Sequence, residues 1–345
     1  MAKKPSVCIG IDIGSYSIKI AEVQRKGKDF RLTRALVFNC EGDWKDGMPV
    51  EIDVAGISLN KAMSAFGSCK EATLAIPTSV AMVRSVPMET KLKTDELWKT
   101  IEANVSQYFP FSSEEVFIDF VPIKPSLSAE GHTDVLIVAA QKEFVNQREI
   151  CADIAGLKVN AIDINIYGLL DLLHLKGDID NMSDYDAVMI FDIGLMHSSL
   201  NVVTGDQSVY VRDVPIGGER LTQLITEQKS LSLQDAEKYK LSGAADIQES
   251  IQQFISEMMV QLQSSIDVYV ANNPQVTCHR LYISGATACY PQILDALSTQ
   301  LTNVEVEVLS PDMIFDVDDK VYTKLNGSSI EALSTAAGLA TRGLL

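Results

Sequence analysis

The sequence predicts a mixed α/β protein made of two similar halves, each opening on a strand–turn–strand device. Two stretches carry that prediction. Ile9 to Val23 reads IGIDIGSYSIKIAEV, and Ala187 to Val203 reads AVMIFDIGLMHSSLNVV; each places Asp-Ile-Gly between apolar runs. Apolar residues alternate in both, as they do in strands with one buried face. Length agrees, since 345 residues suit two domains and a 46% hydrophobic content can fill their cores.

Val7, Ile9, Ile11 and Ile13 predict a first strand, and Ile18, Ile20 and Val23 a second. A third, Arg31 to Phe38, follows the turn at Lys26 to Asp29 and completes an antiparallel meander. Helical spacing covers Val54 to Phe66, and strand character returns over Ala72 to Ile76 before Pro77. A short strand, Met82 to Val86, then ends at Pro87. The next helix runs from Thr94, as N-cap, to Tyr108, with Leu97, Trp98, Ile101 and Val105 on one apolar stripe. Strands at Val116 to Val121 and Val135 to Ala140 flank a Pro/Ser/Gly-rich turn. A helix from Lys142 to Ala155 stops at Gly156. Residues 83–162 are thereby predicted to form a small α/β subdomain inserted in the first half.

The second half repeats the opening, with strands Val188 to Asp192, Ser199 to Val203 and Ser208 to Val211, and turns at Gly194 and Thr204 to Asp206. A helical block, Gly218 to Gly243, precedes a long helix, Glu249 to Asn272, in which Met258 and Met259 read as core filler. Strand Arg280 to Ile283, a helix after Pro291, strand Val304 to Val308 and a small-residue helix, Ile330 to Leu345, finish the chain.

Charge narrows the function. With 29 basic and 46 acidic side chains the net charge is −17, which argues against a reader of nucleic-acid backbones. A nucleotide remains compatible if Mg²⁺ lies between carboxylates and phosphates. Cys8, Cys40, Cys69, Cys151, Cys278 and Cys289 form no CxxC and read as buried thiols of a reducing cytosol, not a zinc site. The sequence has no run of 18 apolar residues and no signal-peptide core, so a cytoplasmic location without membrane insertion is predicted.

A lone Asp-x-Gly is usually a plain turn. Two copies, each opening a meander, suggest two facing hairpins that clasp one triphosphate in an interdomain cleft. No P-loop, GxGxxG, GxSxG or HExxH competes with this reading. His132, His174, His197 and His279 share no ligand spacing, and only His197, in the second hairpin, is placed to touch a ligand.

The paired hairpins, Gly217-Gly218 opening a helix, AEKYK (Ala236 to Lys240) and LYISGATA (Leu281 to Ala288) resemble the actin/Hsp70/FtsA nucleotide-binding superfamily. The blocks LWKTIEANVSQYFPFSSEEVFIDFVPI, AGLKVNAIDINIYGLLDLL and PIGGERLT resemble, within it, the PilM family of type IV pilus assembly proteins. The likeness runs end to end. It implies a bilobed actin-like (ribonuclease-H-like) α/β fold with an FtsA-type inserted subdomain. The first lobe would comprise 1–82 and 163–185, completed by the helix 330–345, with the insert at 83–162. The second lobe would comprise 186–216 and 276–329, with a helical subdomain at 217–275.

The resemblance also implies ATP or ADP with Mg²⁺ as ligand. Asp12, Gly14, Ser15, Tyr16, Ser17 and Lys19 stand in its first phosphate motif; Asp192, Gly194, His197 and Ser198 stand in the second. Asp12 and Asp192 would hold Mg²⁺ through water, and Gly217 and Gly218 follow the second motif. Glu237 and Lys240 match the superfamily's Glu-x-x-Lys at the ribose and adenine, although taken alone they read as an exposed charged helix face. Gly285 and Ala286 stand in the adenosine motif, Ala286 in place of a second glycine. Leu195 and Met196 occupy turn positions where the family carries small or hydroxyl residues. Asn165 stands at a possible water-positioning site in place of glutamate, and an amide is a poor base near neutral pH. Nucleotide binding is therefore expected, with at most weak ATPase activity.

The implied partner is the short cytoplasmic N-terminal segment of PilN, captured in a groove at Val83, Ser85, Val86, Pro87, Leu97, Ile101 and Tyr108. The pilus assembly ATPase and self-association are further partners, and the location implied is peripheral at the inner membrane through partner proteins. Two other readings of the same superfamily are weaker. An FtsA-like filament protein would carry an amphipathic tether after the last core helix, where this sequence stops. A sugar- or acetate-type kinase would need a carboxylate base, which Asn165 does not supply.

Overall fold

The computed structural model describes residues 6–67, 71–126, 129–180, 182–205, 207–242 and 245–344. Cys69, Asp206, Gly243 and Leu345 lie outside the described residues. The chain begins with β1 (Val7–Ile13), β2 (Ser17–Lys26), β3 (Asp29–Asn39), the short pair β4 (Trp44–Lys45) and β5 (Met48–Pro49), α1 (Ile52–Phe66) and β6 (Glu71–Ile76). Next come β7 (Ala81–Glu89), α2 (Thr94–Ala103), α3 (Val105–Tyr108), β8 (Val116–Pro125) and β9 (His132–Gln141). After them run α4 (Lys142–Ile154), β10 (Lys158–Ile164) and α5 (Asn165–Lys176). The second half has β11 (Asp186–Ile193), β12 (Ser198–Thr204), β13 (Gln207–Val214), α6 (Gly218–Lys229), α7 (Leu233–Leu241) and α8 (Gln248–Asn272). It continues with β14 (Thr277–Ser284), α9 (Pro291–Gln300) and β15 (Glu305–Val308). The end of the chain carries β16 (Asp316–Val317), α10 (Asp319–Tyr322) and α11 (Ser334–Thr341).

The two halves share one topology. The first sheet has the order β10-β6-β1-β2-β3-β16 and the second β13-β12-β11-β14-β15. Reversed, the second matches the first five strands of the first, β16 having no counterpart, and both pair their opening strand antiparallel to the next and parallel to a later one. In the second half the chain passes from β14 through α9 to β15. In the first half the corresponding passage from β6 to α4 and β10 is interrupted by a three-stranded sheet, β7-β9-β8, with α2 and α3 on it.

That correspondence moves two expected boundaries. The three-stranded sheet with α2 and α3 spans 81–141, whereas the expected insert ran over 83–162. Cys151, Ala152 and Leu157 pack in the core of the first sheet, and β10 pairs in parallel with β6. The second lobe, expected to run on to 329, ends near Val308, because β16 pairs with β3 and Phe315, Val321 and Leu325 join the first half's core. The small residues at the C-terminus have a packing reason. Ala336, Ala337 and Ala340 are fully buried, and a Cβ on Gly338 would fall 1.7 Å from the Gly168 carbonyl oxygen.

The helix expected from Thr94 to Tyr108 breaks at Asn104, and its cap is Lys93, whose backbone N–H donates to the Glu96 carboxylate at 2.9 Å. Leu97, Ile101 and Val105 are core, but Trp98 is 43% exposed. Of the thiols, Cys151 is buried, Cys8, Cys40 and Cys278 are half-buried, and Cys289 is exposed, against the expectation for all of them. Among the described residues no helix is long and apolar enough to cross a membrane.

Candidate functional site: a cleft between paired hairpins

The β1–β2 and β11–β12 hairpins have the same register. Asp12 lies opposite Lys19 and Ile13 opposite Ile18; Asp192 lies opposite Ser199 and Ile193 opposite Ser198. Strand alternation therefore brings both aspartates to equivalent points, each at the carboxyl end of its sheet's opening strand, where open α/β sheets bind ligands. Both border one cleft of about 470 Å³ between the halves. Gly14, Ser15, Tyr16, Ser17 and Lys19 line it from one side. Gly194, His197, Glu237, Lys240, Gly285 and Ala286 line it from the other, as do Leu195 and Met196.

The electrostatics of the two aspartates differ. Asp12 is half-buried and paired with the Lys19 ammonium at 3.0 Å. Asp192 is buried; desolvation, and then the charge of Asp12, push its carboxyl up to about 6, with Lys19 opposing. A cation between the two carboxylates would relieve that repulsion. His197 Nδ1–H donates to the Asp213 carboxylate (2.9 Å), and the ring faces Asp46 of the opposite half at 3.8 Å. The bond to Asp213 holds its imidazole above the ordinary histidine value.

Glu237 and Lys240 are not an exposed face. Lys240 is 4% exposed, and its ammonium donates to Gly218 O (3.1 Å) and Thr222 Oγ1 (2.8 Å) and pairs with Glu237 (2.7 Å). Burial pushes this ammonium down, opposed by Glu237. Gly285 is compulsory: at φ 93°, ψ 160° only glycine is comfortable, and a Cβ would stand 2.4 Å from Ile193 O.

Three expected residues are not on the cleft wall. Ser198 is fully buried and donates to Ile216 O at 2.6 Å. Gly217 and Gly218 lie behind the second turn and receive it: Gly218 N–H donates to Gly194 O (2.9 Å) and Glu219 N–H to Leu195 O (2.8 Å). Asn165 borders the cleft, but its carbonyl oxygen already accepts from the N–H (3.0 Å) and hydroxyl (2.8 Å) of Thr78. The residues expected to form a partner groove do not share a face. Val83, Ser85 and Pro87 point to one side of the inserted sheet, while Val86 points to the other, into the core with Leu97, Ile101 and Tyr108. Leu97 and Ile101 are buried there and offer no docking surface.

One cleft residue has no signal in the sequence. Arg148, on α4, is 1% exposed and reaches the cleft floor, where Nε donates to Ala75 O (3.1 Å) and Nη2 to Ile13 O (3.1 Å) and Gly47 O (3.4 Å). Its place in REICADIAG reads as an ordinary helix cation, because the contacts that bury it come from distant segments.

Fold and site together define a class: a two-lobed, actin-like α/β protein whose repeated hairpins face each other across a ligand-sized cleft. The sequence model of the family described as "Type IV pilus assembly protein PilM" matches residues 10–344, and the chain belongs to that family. Among solved structures it is similar to a chain of a "PilM-PilN type IV pilus biogenesis complex", with a TM-score of 0.83 at 21% identity over 99% of this chain and 100% of that one. It is also similar to the ethanolamine utilization protein EutJ from Carboxydothermus hydrogenoformans, with a TM-score of 0.57 at 14% identity over 99% of this chain and 91% of that one. At these identities the likenesses establish the fold.

Proposed function

We propose that the protein is an ATP-binding scaffold of the type IV pilus assembly machinery, which links the inner-membrane platform to the cytoplasmic motor by holding the N-terminal segment of PilN. The carrying observation is the pair of hairpins in one register, whose aspartates meet across a single cleft and repel each other there. Asp12 and Asp192 suit Mg²⁺ held through water and phosphate. Among the described residues no third metal-ligating side chain joins them, as befits an ion that keeps most of its water. Mg-ATP supplies an anionic bridge between the halves. Ser15 to Ser17 and Gly194 offer it backbone N–H groups, Lys19 adds charge, and the Glu237–Lys240 pair and Gly285 form the nucleoside end. Hydrolysis is at most weak in this reading, since the Asn165 oxygen is occupied by Thr78.

Residues 81–141 serve as the FtsA-type insert and carry the docking surface. Ser85, Pro87, Phe117 and Val121 share one face of its sheet, with Phe117 47% and Val121 42% exposed. The similar chain comes from a complex with PilN. An extended PilN segment would pair along an edge strand and seat its apolar side chains there. Capture of a PilN N-terminal peptide by the full chain tests this: Phe117→Glu with Val121→Glu should abolish it, and undiminished capture would reject the face. Titration calorimetry with Mg-ATP tests the cleft, and no heat at millimolar nucleotide would leave the fold as a scaffold without ligand.

A further inference from the structure

The cleft floor contains a buried cation, Arg148, that no carboxylate among the described residues pairs with directly. Arg148 spends Nε and Nη2 on three carbonyl oxygens, and its Nη1 is buried with no hydrogen-bond partner among the described residues. The Trp44 ring lies 5.9 Å from the guanidinium, covering it further from water. A buried guanidinium normally has a carboxylate against it, because burial strips its hydration and only a counter-charge returns the loss. Here its partners are the carbonyls of Ile13, the residue before Gly14, of Ala75, two residues before Pro77, and of Gly47. These are the segments that form the first half's share of the cleft wall. The neighbouring charge is Asp12, itself engaged by Lys19.

We propose that Arg148 is a positioning residue for the polyphosphate end of the ligand: it fixes the turn after Ile13 and supplies the buried positive charge that an incoming phosphate neutralises. This rests on the nucleotide reading and adds to it a preference for the more highly charged ligand. Lys240, the other buried cation of the cleft, cannot serve, since Glu237, Thr222 and Gly218 satisfy its ammonium. The nucleoside end lies with Glu237 and Lys240 on the second half, so the phosphate end extends toward Asp12 and Arg148 on the first.

The test is calorimetric titration of the full chain with ATP, ADP, AMP and inorganic tripolyphosphate at fixed magnesium, in wild type, Arg148→Gln and Arg148→Lys. Arg148→Gln keeps an amide donor for the carbonyls and removes the charge. It should weaken ATP and tripolyphosphate by about tenfold or more while AMP stays within about twofold, and Arg148→Lys should recover most of the loss. An equal fall for ATP, ADP and AMP marks a merely structural arginine and overturns the proposal, as does unchanged ATP affinity. Should neither variant fold, competition on the wild type decides: tripolyphosphate must displace ATP, and failure to do so overturns the proposal. Tripolyphosphate binding without any nucleotide binding would sink the nucleotide reading and leave the role of Arg148 standing.

Discussion

The two hairpins are built to one register but held differently. The first turn closes on itself, with Gly14 N–H donating to Ser17 O at 3.2 Å, and its aspartate is neutralised locally by Lys19. The second turn is clamped from outside by the start of α6, through Gly194 O and Leu195 O, and its aspartate has Ser199 where the first has Lys19. The same strand pattern thus yields one self-contained jaw and one anchored jaw whose acid has no lysine opposite it on the next strand. Duplication sets backbone geometry, while the residue opposite the aspartate sets the electrostatics.

The clamp is the strongest point at which to break this difference. A Cβ on Gly217 would stand 2.3 Å from Leu195 O. Gly217→Ala should therefore force the second turn off α6 and cost about 2–4 kcal/mol, read as a lower melting temperature. Hydrogen exchange at residues 195–199 should rise toward that at 15–17; unchanged protection would show that the clamp is idle.

Asp192→Asn comes next. Burial and then the charge of Asp12 push its carboxyl up to about 6, above the ordinary aspartate value, so the folded state holds this proton more tightly than the unfolded state does. Ligand-free stability should fall as pH rises from about 4 to about 6 and stay low above that. Asp192→Asn should flatten the slope and stabilise the ligand-free protein at pH 7 by up to roughly 3 kcal/mol, while weakening Mg-ATP. Denaturant titrations across that pH range check this, and a variant keeping the slope would assign it elsewhere.

Lys19→Met should make the first jaw resemble the second. The pair it removes is partly exposed and should cost only about 0.5–1 kcal/mol, but the pH midpoint assigned to Asp192 should move upward, since Lys19 holds that carboxyl down. The smallest effect belongs to His197. Its raised value means that the pairing with Asp213 and Asp46 contributes fully below the ordinary histidine range and is lost as pH rises through the folded value. His197→Asn should lower stability at pH 6 by under about 1 kcal/mol and leave it unchanged at pH 9, as read from thermal melts.

Much of this was legible beforehand. Alternation in β1, β2, β11 and β12 announced both hairpins, and 3.6-residue spacing announced α1 and α8, because these signals are local and each element buries one face. The aspartates, Gly14, Gly194 and Gly285 were legible for the same reason: they sit at turns that local sequence marks. The insert's limits were misread because the strand Lys158–Ile164 pairs with Glu71–Ile76, nearly ninety positions earlier, and pairing partners leave no local trace. The groove was misread because Val86 stands between Ser85 and Pro87, and alternation sends it, with the α2 residues below, into the insert's own core.

By itself, then, the sequence determined the repeated strand–turn–strand units, the helices with one apolar stripe and the glycines at their turns. All of these follow from interactions within a few residues. Only the tertiary structure decided that Asp192 is buried near the charge of Asp12, that Lys240 is saturated, and that Arg148 ends beneath the cleft with a nitrogen unpaired among the described residues. Burial and electrostatics belong to neighbours in space, and for these side chains those neighbours come from distant parts of the chain.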